Sequence, residues 1–356
     1  MKKILVVDDS ALMRRVLCDI IDNDERFQVA DRAANGQEAL ELLTKKKYDA
    51  VVLDVNMPVM DGLSLLKELQ KRRIPAKVMM ASTDTKEGAK TTLDALELGA
   101  LDFVHKPVNA LNCREEIFKN RMLDTLEAVA CGRPPVFGKA FTLEEIQTSK
   151  KIVEMVQKHA SQIAGNRIVA IASSTGGPKA LQSVIPRLPK NLKAPVLIVQ
   201  HMPAGFTASF AERLNNLSEL EVKEAAEGDV LQSGHVYLAR GGAHMKVQSR
   251  NGKCTIIYTN EPPREGVRPC ANYMYESLVD APFDEVVCVV MTGMGADGTK
   301  GIQNLAATRK VHIIAQEQST CAVYGMPKSI VATGMVNQVV PLEQIAQEII
   351  LNVGVK

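Results

Sequence analysis

The chain has 356 residues, more than one typical core sustains, so two domains are expected. At 46% hydrophobic and 24% charged residues it reads as globular; no apolar run reaches membrane-spanning length, and Asp8 and Asp9 cut the run after Met-Lys-Lys too short for an export signal. A formal charge of +2 with 4% aromatics and no dense Lys/Arg block argues against nucleic acid as a partner, and seven scattered cysteines without a C-x-x-C pair fit reduced thiols in a cytoplasm.

Apolar runs at Ile4 to Val7, Ala50 to Leu53, Lys77 to Ala81 and Leu101 to Val104, with a weaker one at Phe27 to Ala33, alternate with segments of helical period such as Ala11 to Ile21 and Gly36 to Leu43. This α/β alternation predicts a doubly wound parallel sheet, whose ligands bind beyond the carboxyl ends of the strands. Asp8, Asp9, Asp54, Ser82 and Lys106 stand at those ends. Three carboxylates gathered there would repel one another unless a cation lay among them, and hard oxygen ligands suit Mg²⁺. Ser82 and Lys106 would then contact the oxygens of a phosphoryl group carried by Asp54.

These residues, with the D-V-N-M-P-V-M-D-G run from Asp54 to Gly62 and the pair Lys106-Pro107, resemble a response-regulator receiver domain of flavodoxin-like fold. The resemblance implies phosphotransfer from a histidine kinase to Asp54, the carbonyl of Asn56 as a further metal ligand, Ser82 as a switch position and a cis bond before Pro107. Phe103 occupies the position where such domains move an aromatic ring on activation; it also reads as an ordinary core phenylalanine.

After a last receiver helix near 111–130, the run Cys-Gly-Arg-Pro-Pro-Val-Phe-Gly marks a boundary. Thr142-Leu-Glu-Glu145 reads as a capping box opening a helix to about Gln162. The expected division is a receiver at 1–130, a partly helical linker at 131–165 and a second doubly wound domain at 166–356.

In that second domain, Ile168 to Leu181 (IVAIASSTGGPKAL) reads as a strand, a tight glycine turn and a helix with Pro178 in its first turn. Ser174 lies in the turn, where free amides would stabilise negative charge. The run Ala194 to Val199 leads into Gln200-His201-Met202-Pro203, and Val286 to Met291 leads into Thr292-Gly-Met-Gly-Ala-Asp297-Gly298. Parallel strands would bring Ser174, His201 and Asp297 to one crevice as nucleophile, base and orienting carboxylate. Backbone amides near Met294 and Thr175 are the oxyanion candidates. The remaining histidines do not follow apolar runs in this way. Gly293-Met-Gly295-Ala-Asp-Gly298 also spells a dinucleotide fingerprint, but Asp297 within it would face a pyrophosphate, and the motif comes late in the chain.

Residues from about Arg167 to Leu351 resemble the catalytic domain of the chemotaxis protein-glutamate methylesterase family, CheB. The likeness rests on S-T-G-G at Ser174, Q-H-M-P at Gln200, F-A-E-R-L at Phe210, T-G-M-G-A-D-G at Thr292 and G-M-P at Gly325. It implies hydrolysis of glutamyl methyl esters on the cytoplasmic helices of chemoreceptors, with Ser174, His201 and Asp297 as a catalytic triad, no cofactor for the ester chemistry, and in some relatives deamidation of receptor glutamines. Ser173 stands where relatives usually carry Ala, and Glu265 to Asn272 is less typical of the family; Cys270 there reads as a buried inert thiol or a reactive one. Phosphorylation would gate the esterase, with the unphosphorylated receiver expected to pack across the Ser174 crevice. The competing readings are a receiver-controlled, non-catalytic binding module on the same scaffold and a receiver-driven transcription regulator, the latter disfavoured by the absence of a short module with a basic recognition helix.

Overall fold

A computed structural model describes residues 1–83, 86–107, 115–135 and 165–356. The chain divides into two compact units, Met1–Gly138 and Lys139–Lys356. The linker helix expected over 142–162 lies outside the described residues.

The first unit is a five-stranded sheet of β1 (Lys2–Val7), β2 (Phe27–Ala33), β3 (Ala50–Asp54), β4 (Val78–Thr83) and β5 (Asp102–Lys106), in the order β2-β1-β3-β4-β5. Every pairing is parallel. Helices α1 (Ala11–Asp22), α2 (Gly36–Lys45), α3 (Gly62–Lys71), α4 (Lys86–Glu97) and α5 (Glu116–Cys131) alternate with the strands. Their starts follow from side-chain caps: Ser10, Asn35 and Asp61 each accept a backbone N–H of the first turn of α1, α2 and α3. The order reverses between β1 and β3, so the crevice beyond their carboxyl ends is where Asp8, Asp9 and Asp54 gather.

Two details differ from expectation. Strands β4 and β5 run on to Thr83 and Lys106, past the last apolar residue, because the sheet's backbone pairing continues where hydrophobic patterning has ended. The one cis peptide among the described residues is Arg268–Pro269, so the bond before Pro107 is not the expected cis one. The two isomers of an X-Pro bond differ by only about 0.5–1 kcal/mol, and tertiary context, which sequence does not display, selects between them.

The second unit is built on a seven-stranded sheet, ordered β14-β13-β12-β6-β7-β9-β8. Its strands are β6 (Arg167–Ser173), β7 (Val196–Gln200), β8 (Glu221–Glu224), β9 (His235–Leu238), β12 (Glu285–Val290), β13 (Val311–Gln316) and β14 (Gln338–Val340), all paired in parallel. Strands β10 (His244–Arg250) and β11 (Lys253–Thr259) form a separate antiparallel ribbon. Helices α6 (Gly177–Val184), α7 (Phe206–Leu217), α8 (Ala271–Glu276), α9 (Thr299–Ala306), α10 (Met326–Val331) and α11 (Leu342–Val353) complete the layers. The central strands are buried on both faces and read as continuous apolar runs, as parallel strands covered by helices must. Tyr275, fully buried, ties α8 to the sheet by placing its hydroxyl 3.1 Å from both Ala170 O and Val289 O. From β6 the chain adds β7, then β8 and β9 on one side, with β9 entering between β7 and the edge strand β8, and then β12, β13 and β14 in turn on the other. The reversal therefore falls at β6, and its crevice opens beyond β6, β7 and β12.

Candidate functional site

In the second unit, Ser174, His201 and Asp297 stand beyond the ends of β6, β7 and β12, the three adjacent strands at the reversal. Ser174 is half-buried in the turn from β6 to α6, where its carbonyl accepts Gly177 N–H at 2.7 Å and its amide donates to Thr292 O at 3.0 Å. Gly176 enters that turn at φ 76°, the left-handed region that a side chain disfavours. Gly293 lets the two loops touch: a Cβ there would lie 2.7 Å from Ser174 Cβ and would also strike Met326 Sδ. Gly293→Ala is accordingly expected to cost about 1–3 kcal/mol by overpacking. A denaturant titration that leaves the unfolding midpoint unchanged would contradict the close approach.

His201 and Asp297 are joined by a 2.7 Å hydrogen bond between Nε2 and Oδ2. Asp297 is 2% exposed, and burial alone would raise its pKa. The contrary pull of His201, then of the Cys270 thiol and the Ala271 amide, prevails and lowers it to about 2. An ionised carboxylate only accepts hydrogen bonds, so Nε2 carries a proton, and whenever the ring has a lone pair to act as base that lone pair lies on Nδ1. In the familiar Ser-His-Asp arrangement the two nitrogens have the opposite roles. Ser174 Oγ has no hydrogen-bond partner among the described residues, His201 included.

Oδ1 of Asp297 accepts Cys270 Sγ–H at 3.0 Å, Asn272 N–H at 3.0 Å and Gly298 N–H at 2.8 Å, and Oδ2 accepts Ala271 N–H at 2.6 Å besides His201. The stretch from Glu265 to Asn272, read from sequence as a departure, is therefore the cradle of this carboxylate. Asn272 is fully buried; its Oδ1 accepts Gly298 N–H and Gly301 N–H at 3.1 and 2.6 Å, and its Nδ2 donates to Glu265 at 2.8 Å. Cys270 is fully buried, and burial, then the Asp297 charge, push its thiol pKa up. It is a neutral donor, not an exposed nucleophile.

Gln200 is a further residue whose part the sequence did not disclose. Buried behind the site, it accepts Ser173 Oγ–H at 2.7 Å, while its Nε2 donates to Ser174 O at 3.0 Å and to His201 O at 3.1 Å. One side chain thus fastens the serine turn to the histidine loop, and Ser173 has a packing role. Of the oxyanion candidates, Thr175 is buried with its carbonyl accepting Thr292 Oγ1–H at 2.9 Å. Met294 is 39% exposed, and its amide has no hydrogen-bond partner among the described residues.

In the first unit, carboxylate oxygens of Asp8, Asp9 and Asp54 lie within 4.8 Å of one another. Lys106 Nζ is 2.8 Å from both Asp8 Oδ2 and Asp54 Oδ2, and it is 5% exposed. Burial raises the Asp54 pKa and the Asp8 charge adds to that, against the opposing pull of Lys106. With two carboxylates sharing a single ammonium, this hard-oxygen set retains unneutralised negative charge and fits a divalent cation. Ser82 is buried at the end of β4, Asn56 is exposed after β3, and Phe103 is 5% exposed.

The family pattern described as CheB methylesterase matches residues 169–349, and that described as response regulator receiver domain matches residues 4–118. The protein-glutamate methylesterase/protein-glutamine glutaminase 1 of Syntrophomonas wolfei is 42% identical over 359 residues, covering 98% of both chains. The chain belongs to the CheB methylesterase family. Its Bacillus subtilis relative, a protein-glutamate methylesterase/protein-glutamine glutaminase, is 37% identical over 350 residues, again with 98% of each chain covered. The crystal structure of the Thermotoga maritima CheB methylesterase catalytic domain superposes with a TM-score of 0.51 at 40% identity, covering 53% of this chain and 98% of that one. Membership of the CheB family accounts for the two parallel-sheet units together. Among the described residues no helix is long and apolar enough to cross a membrane.

Proposed function

We propose that this chain is a phosphorylation-regulated serine esterase that converts glutamate methyl esters on the cytoplasmic helices of chemoreceptors to glutamate and methanol, and that also deamidates receptor glutamines. The observation that carries the reading is the pairing of His201 with the buried Asp297, 2.7 Å apart, at the strand end beside the Ser174 turn. Ser174 Oγ attacks the ester carbonyl and passes its proton to His201 Nδ1, while Asp297 holds the opposite nitrogen and stabilises the imidazolium that forms. The Met294 and Thr175 amides face the developing oxyanion. His201 returns the proton to the departing methoxide, giving methanol and an acyl-enzyme; it then deprotonates a water that releases the glutamate and restores Ser174. A primary amide follows the same course with ammonia as the leaving group, consistent with the double name that the relatives carry.

Residues 1–130 serve as the receiver, 131–165 as the linker and 166–356 as the catalytic domain. Asp54 accepts phosphate from a chemotaxis histidine kinase. Asp8, Asp9 and Asp54, with the Asn56 carbonyl, would hold Mg²⁺, which when bound neutralises charge on the phosphoryl oxygens. Ser82 and Lys106 contact that group, and Phe103 responds to it. The protein acts in the cytoplasm, without nucleic acid and without membrane insertion. Phosphorylation raises the esterase rate by favouring one of two states of the chain, since a modification shifts an equilibrium only through its unequal effect on them. Methanol release from methylated receptor preparations tests the whole reading. Acetyl phosphate is expected to raise the rate of the wild type and leave Asp54→Asn at its basal rate; an equal response of both proteins would refute the switch, and no methanol from either would refute the esterase.

A further inference from the structure

Asp297 is held by donors of two kinds. The amides of Ala271, Asn272 and Gly298 belong to the backbone and survive any side-chain change. The Cys270 thiol, 3.0 Å from Oδ1, is the one side-chain donor besides His201 among the described residues. We infer that Cys270 is a positioning residue of the esterase: its S–H fixes the rotation of the Asp297 carboxylate, so that Oδ2 faces His201, and withdraws negative charge from it. The inference rests on the roles proposed above for Ser174, His201 and Asp297.

The geometry limits the thiol to this task. Cys270 is 0% exposed, so reagents in solution do not reach it, and Asp297 Oδ1 is its one hydrogen-bond acceptor among the described residues. A sulfur–oxygen separation of 3.0 Å is short for a thiol donor, as expected for an ionised acceptor. Burial and the Asp297 charge keep the sulfur protonated at neutral pH, which makes it a donor throughout the working range.

The other titratable groups facing the pair are already engaged. Tyr275, on α8, directs its hydroxyl to Ala170 O and Val289 O. Arg264, whose charge reaches Cys270, forms a two-pronged pair with Glu276 at 2.9 and 2.8 Å. Glu265 accepts from Asn272. None of these can replace the thiol if it is removed.

A donor and a mere space-filler make different predictions. Without the S–H, Oδ1 is freer to turn, and the carboxylate carries more charge toward His201. The imidazolium is then held more strongly, so the base is lost at a higher pH. Cys270→Ala and Cys270→Val, which lack a donor, should lower kcat about tenfold, the effect of one hydrogen bond to a charged group. KM should change little, and the acid limb of kcat/KM should move to higher pH. Cys270→Ser keeps a donor of similar reach and should restore both the rate and the limb.

The experiment is the pH dependence of methanol release by the full-length wild type, Cys270→Ser, Cys270→Ala, Cys270→Val and Ser174→Ala, each checked for cooperative unfolding. If the larger valine prevents folding, the alanine and serine variants carry the comparison. Recovery in serine of a rate and limb lost in alanine supports the inference. Alanine and serine variants alike in both, whether active or impaired, overturn it while active wild type and inactive Ser174→Ala leave the esterase reading intact. A wild type without turnover would overturn both.

Discussion

Replacing Ser174 with alanine is expected to abolish methanol release, by about 10⁴-fold or more, while leaving the unfolding midpoint almost unmoved. The two halves of this expectation have separate causes. Ser174 Oγ is the proposed attacking atom, and the hydroxyl of the preceding residue cannot take its place: Ser173 Oγ is buried and committed to Gln200. The contacts that hold the turn are made by the backbone of residue 174, through Thr292 O, Gly177 N–H and Gln200 Nε2, and all of these persist in alanine. Since Oγ has no partner among the described residues, its removal leaves no buried group unsatisfied. Methanol release measured beside a thermal melt therefore separates chemistry from folding. It also separates the enzyme from a binding module on the same scaffold, which would release no methanol before or after the change. A variant retaining a tenth of wild-type turnover would remove Ser174 as nucleophile.

The sheet strands and the positions beyond their ends were legible because parallel strands buried on both faces appear as unbroken apolar runs. The exceptions have physical reasons. Edge strand β8, Glu-Val-Lys-Glu, has one buried residue and no run to detect. The ribbon β10–β11 did carry a signal: Asn251 and Gly252, with φ of 51° and 74°, form the two-residue turn that an Asn-Gly pair favours between twisted strands. Within the site, spacing brought Ser174, His201 and Asp297 to one crevice, but not the ring nitrogen that meets Asp297, which depends on how the imidazole is turned. Three of the carboxylate's donors are backbone amides, and amides are the same in every sequence. Gln200 and Cys270 could be seen in the chain, but only the fold places them against Ser174 and Asp297. The bond before Pro107 shows the converse limit, because a family resemblance implied an isomer that the local residues do not dictate.

Asp297→Asn is expected to reduce turnover by about 10³-fold or more, and unlike Ser174→Ala it should also destabilise the fold. The amide has one oxygen where the carboxylate has two. If that oxygen faces Cys270, Asn272 and Gly298, the NH₂ must face Ala271 N–H and the proton on His201 Nε2; if it is turned, the NH₂ opposes the other three donors. Either way, buried donors lose their acceptor, at about 1–3 kcal/mol; the first orientation leaves fewer of them opposed, and in it His201 is driven to the other tautomer, with its proton on the nitrogen that should act as base. The linkage has a definite sign. Asp297 titrates at about 2 in the fold against 3.8 ordinarily, so its charge stabilises the native state fully above about pH 4, and that contribution fades as pH falls toward 2. It amounts to roughly 2 kcal/mol, since each tenfold change in proton affinity is worth about 1.4 kcal/mol. Denaturant midpoints should therefore show the wild type well above Asp297→Asn at pH 7, with the gap narrowing between about pH 4 and pH 2. A gap that stays constant through this window would mean that Asp297 is not ionised by its donors, and Nε2 would then no longer be required to hold the proton that leaves Nδ1 free to act on Ser174.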